Sequence, residues 1–169
     1  MTLRIIGAVL VVISCSGFGF MLAVNYKMEE RYLRQLLEAI NYMECQLQFS
    51  VSTLPELSLS AAAAAGGGIE KVLTQFAAAL ETNCYTDPSA CMDSVLAGQK
   101  IPPVAKSLLA SLGRTLGSFD LDGQLKALQA VQSDCAQQLI KHTENKDVRI
   151  RNYQTLGICA GAALAILLI

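Results

Sequence analysis

The chain has no tryptophan, a single histidine, only four prolines, and five residues each of phenylalanine and tyrosine. One histidine cannot supply the paired His or Cys/His spacings of a zinc centre. It also leaves no nucleophile–base pairing to propose. Charged residues are 16% of the chain, against about 25% in an ordinary soluble domain, and the formal net charge is −1. No clustered Lys/Arg surface is available for phosphate contacts, so a strongly basic nucleic-acid binder is excluded. Hydrophobic residues make up 53% of the 169 residues, with a mean hydropathy of +0.41. That much apolar surface excludes an intrinsically disordered chain. Strand signals are nearly absent.

What is present is unevenly placed. Residues 5–26 and 152–169 carry no charge, whereas 27–151 holds 12 of the 13 basic residues and all 14 acidic ones, a net charge of −2. Ile5–Val24 has the length of a helix that spans a hydrocarbon core about 30 Å thick. Counted from Asn152, the C-terminal segment spans about 27 Å as a helix. The pattern predicts a transmembrane helix within 1–26, a helical region over 27–151 and a second transmembrane helix over 152–169. Lys27, Arg31, Arg34, Lys141, Lys146, Arg149 and Arg151 flank the middle, while only Arg4 and the α-amino group lie beyond it. Positive charge is retained in the cytoplasm, which places the middle there and both termini outside. An alternative reads Val12-Ile13-Ser14-Cys15 as a lipobox, with Cys15 lipidated and the middle extracytoplasmic. Against it, apolar character continues through Phe18, Phe20, Met21, Leu22 and Val24, where a lipoprotein carries a polar tether.

The six cysteines have no C-x-x-C spacing. Cys15 and Cys159 fall in the expected spans. Cys45, Cys84, Cys91 and Cys135 are expected as packed, reduced thiols of a cytoplasmic domain. A Cys84–Cys91 bridge becomes credible only with the topology inverted.

The middle reads as helix throughout. Leu33, Leu36, Leu37, Ile40, Met43, Leu47 and Val51 recur at three- and four-residue steps, an amphipathic helix continuous with the first span. Thr53, Pro55 and Glu56 form a helix start with a capping box. That helix runs into Ala61–Ala65 and stops at Gly66-Gly67-Gly68, so 61–68 is expected as a flexible Ala/Gly loop. No Gly-Lys-Ser/Thr follows the glycines, which sets aside phosphate binding. Ile69, Val72, Leu73, Phe76 and Leu80 form the next stripe. Asp87-Pro88 starts a short helix that Gly98 can close, and Pro102-Pro103 starts another with Ala105, Leu108, Leu109, Leu112 and Leu116 inward. Gly117 stands at the end of that helix, and Asp120 is placed to cap the last one. The last helix carries Leu121, Leu125, Leu128, Gln132, Cys135, Leu139 and His142 at heptad-like spacing. Its simplest partner is the 28–51 helix. His142 has no ligand spacing around it. Asp120 and Asp122 sit where a helix dipole favours acids, so neither is read as catalytic.

One segment is more specific. Leu112-Gly113-Arg114-Thr115-Leu116-Gly117-Ser118-Phe119-Asp120-Leu121-Asp122-Gly123-Gln124 resembles the L-G-x-x-L-G-x-x-D-x-x-x-Q signature of the stage III sporulation protein AB family. The ending Leu156-Gly157-Ile158-Cys159-Ala160-Gly161 is similar too, as are Gly17-Phe18, Leu33-Arg34 and Met43-Glu44. The chain departs at Thr53-Leu54-Pro55, where the family has T-P-L, and at Val51, where it has glycine. The resemblance implies an all-α, membrane-anchored helical bundle like the cytoplasmic domain of a type II secretion or type IV pilus platform protein. It implies a non-enzymatic part of the secretion-like channel complex between mother cell and forespore, in the mother-cell membrane on the outer forespore membrane side. Implied partners are other stage III sporulation channel components, including a secretion-type ATPase. Neither cofactor, small-molecule substrate nor nucleic acid is implied, and a homo-oligomer stays open. Leu116, Gly117, Asp120, Gln124, Gly157 and Gly161 are the motif positions, read as structural. Gly157, Gly161 and Ala165, four residues apart, would line one face of the second span and let another helix approach closely.

Overall fold

The computed structural model describes residues 2–49, 52–82, 87–116, 121–144 and 155, with side chains from Met21 onward except Leu22, Ala23 and Leu121. All regular structure among them is helical: α1 (Thr2–Phe49), α2 (Leu54–Ala65), α3 (Gly67–Glu81), α4 (Pro88–Ala97), α5 (Pro103–Thr115) and α6 (Leu121–Glu144). The all-α expectation holds. The chain divides into two units, Met1–Met28 with Lys141–Ile169, and Glu29–Ile140. Among the described residues no helix is long and apolar enough to cross a membrane. The two expected spans fall largely outside that set: side chains up to Phe20 are not described, and of 152–169 only Thr155 is.

The Glu29–Ile140 unit is built on the helix faces that the apolar spacing marks. From α1, Leu33, Leu36, Ile40 and Met43 are fully buried, joined by Ala39. From α3, Ile69, Val72, Leu73 and Phe76 are fully buried, and α5 adds Leu109 and Leu112. α1 and α6 run antiparallel, as three contacts of opposite sense show. Gln129 Nε2 donates to Glu44 Oε1 at 2.7 Å, Gln132 Nε2 donates to Asn41 Oδ1, and Cys135 Sγ donates to the Leu33 carbonyl at 3.4 Å. The expected partnership of the last helix is therefore observed. Its buried face differs in detail: Leu128, Val131 and Cys135 are buried, while Leu125, Gln132 and Leu139 are only half-buried. Val131 enters because α6 presents a face one residue wider than a heptad seam.

The starts of the helices follow local chemistry. The Thr53 N–H donates to Glu56 Oε2 at 3.1 Å, and the Leu57 N–H donates to the Thr53 carbonyl at 2.9 Å. Hydrogen bonds from the Thr53 side chain and backbone hold the Glu56 carboxyl below the usual carboxylate range. Pro55 sits in the first turn, so the exchanged Leu54-Pro55 order is accommodated. At α4, the Ser89 N–H donates to Asp87 Oδ1 at 3.1 Å and the Ser89 hydroxyl donates to the other carboxylate oxygen. Gly98 closes α4 with an ordinary φ of −83°.

The glycine run corrects one expectation. Residues 61–68 are not a loop: Ala61–Ala65 complete α2, with Ala61, Ala62 and Ala65 in the core, and Gly67 and Gly68 open α3. A single residue, Gly66, joins the two helices. It has φ 66° and ψ 174°, a region essentially restricted to glycine. Its N–H donates to the Ala62 carbonyl at 3.1 Å, and its carbonyl accepts from the Glu70 N–H at 3.2 Å. The next two glycines make room for α1. A Cβ on Gly67 would lie 2.2 Å from Gln35 Nε2, and one on Gly68 would lie 2.5 Å from the Tyr32 ring. Composition alone reads such a run as a connector; the positive φ of Gly66 and Gly67 (66° and 61°) is what requires glycine there, and Gly68 lies close under the Tyr32 ring.

Candidate functional site

The motif segment begins inside α5. Leu112 and Leu116 are core residues, spaced four apart on one helix face. Between them, buried Gly113 lies against α4: a Cβ there would sit 2.6 Å from Met92 Cβ and 3.0 Å from Met92 Cγ. Thr115 is buried, and its hydroxyl donates to the Ser111 carbonyl at 3.0 Å. α5 ends as the Leu116 N–H donates to the Leu112 carbonyl at 3.0 Å while Leu116 itself turns extended, at ψ 123°. Gln124 is half-buried in the first turn of α6. Gly117, Asp120, Gly157 and Gly161 lie outside the described residues. Of the described motif positions, the structure thus sets Gly113 at the α4–α5 contact and Gln124 on α6. It also gives Gly113 a reason that spacing did not reveal. The available signal was a glycine beside a buried leucine in the middle of an apolar stripe.

Reactive side chains are spread through the helices. Among the described residues no group of three His, Cys, Asp or Glu could hold a metal ion. Cys45 is exposed, whereas Cys91 and Cys135 are buried free thiols. Cys91 is therefore not bridged to Cys84, which lies outside the described residues. Cys91 Sγ lies 4.0 Å from the Phe76 carbonyl. Burial pushes the Cys135 thiol up to about 11, so it stays protonated and donates to Leu33 at neutral pH. Arg34, one of the basic residues expected to flank the first span, pairs with Glu30 at 3.0 Å. Glu30 is only 8% exposed, so part of that positive flank serves an internal carboxylate.

In the unit formed by Met1–Met28 and Lys141–Ile169, the Tyr26 hydroxyl donates to the His142 carbonyl at 3.3 Å. The two rings are 4.9 Å apart and tilted by 39°. His142, read from sequence as a stripe residue, makes a packing contact with an aromatic ring. The polar side chains just described serve caps, helix pairing and backbone carbonyls. What this arrangement offers chemically is a set of faces.

The family model described as Stage III sporulation protein AB (spore_III_AB) matches residues 4–169. The chain belongs to the stage III sporulation protein AB family. A curated relative, Stage III sporulation protein AB of Bacillus subtilis (strain 168), is 25% identical over 176 residues, covering 98% of this chain and 99% of the relative. A solved structure titled Stage III sporulation protein AB (SpoIIIAB) superposes with a TM-score of 0.61 at 16% identity, covering 72% of this chain and 98% of the other. That likeness shows the shared all-helical fold. Membership in the stage III sporulation protein AB family ties this chain to sporulation, alongside other stage III sporulation proteins.

Proposed function

We propose that the chain is a non-enzymatic membrane component of the secretion-like channel complex between mother cell and forespore. In this reading it is an assembly platform that couples to a cytoplasmic secretion-type ATPase. A span at each end anchors it in the mother-cell membrane, and the Glu29–Ile140 helices lie in the cytoplasm. The observation that carries the reading is the family match over residues 4–169, which runs through both uncharged ends. Two further points support it. With Arg34 set aside for its pair with Glu30, the other six basic residues that flank the middle in sequence still outnumber Arg4 for orientation. Thr53 and Asp87 serve helix starts, and Gln129 and Gln132 join α6 to α1, roles that fit a binding module.

Cys45 tests the topology, because it is exposed where Cys91 and Cys135 are buried. A membrane-impermeant thiol reagent added to intact sporulating cells is expected to leave Cys45 unlabelled, and to label it after lysis. Labelling of Cys45 in intact cells would place the helices outside and favour a lipid-anchored adaptor.

A further inference from the structure

We draw no further inference here: the strongest candidate, the surface patch at the C-terminal end of α1 where Phe49 is 83% exposed one helical turn beyond exposed Cys45, is an unpartnered apolar feature, and nothing in the structure shows what covers it.

Discussion

Phe76→Ala is expected to destabilise the Glu29–Ile140 helices by about 3–5 kcal/mol. Phe76 is the largest fully buried side chain of α3. Its ring is shared by the α3 face and its neighbours, so truncation removes transfer energy and leaves a cavity that fixed helices fill poorly. Native domains are stable by only about 5–15 kcal/mol, so the loss is a large fraction of the total. Cysteine reactivity gives a direct readout on the full chain. Cys91 and Cys135 are buried and Cys45 is exposed, so a thiol reagent in rising urea labels Cys45 at once and the other two on unfolding. In Phe76→Ala, labelling of Cys91 and Cys135 should occur at much lower urea. An unchanged midpoint would mean that the α3 face does not carry the core.

The second large effect sets two forces against each other at Gly113. Helix propensity alone favours Gly113→Ala by about 1 kcal/mol. Packing opposes it. The new Cβ would stand 2.6 Å from Met92 Cβ, where carbon atoms rest at about 3.5–4.0 Å. Met92 is fully buried, and its Cβ is tied to the α4 backbone, so relief requires α4 to move away from α5. Overpacking of that kind costs about 1–3 kcal/mol, and packing is expected to win. Gly113→Ala should therefore expose Cys91, the neighbour of Met92, at lower urea than wild type. Gly98→Ala is the control: its added Cβ would meet only the Val95 carbonyl at 3.9 Å, and labelling should be unchanged or slightly delayed. A stabilised Gly113→Ala would show that propensity governs and that the α4–α5 contact is loose.

These two residues mark what the sequence made legible. Phe76 lies on a stripe with Ile69, Val72 and Leu73, and the 3.6-residue period exposes such a face without any knowledge of its partner. The same holds for Leu33, Leu36, Ile40 and Met43, and for the starts at Thr53 and Asp87, where the chemistry is local. The pairing of α1 with α6 was also readable, since both carried long apolar stripes rooted at the same end. Gly113 was visible only as a letter of a family motif. Its reason is Met92, distant in sequence, and no local pattern points there. The glycine run misled because the left-handed φ of Gly66 and Gly67 makes a one-residue joint between two helices, where composition alone suggests a loop. Val131 shows a smaller failure: a strict heptad reading of α6 narrowed a face that packing makes wider. Within the motif, Gly113 is accounted for by the α4–α5 contact, and Leu112 and Leu116 by their burial in the core.

In the function proposed above, these helices are a folded binding module for a secretion-type ATPase and other stage III proteins. The most direct measurement is affinity purification of the tagged full chain, solubilised from membranes of sporulating cells, with its partners identified and quantified. The ATPase and other stage III sporulation proteins are expected to come with the wild-type chain, and Phe76→Ala is expected to lose them together with protection of Cys91 and Cys135. Recovery of the wild-type chain without the ATPase, while both thiols stay protected, would contradict that function.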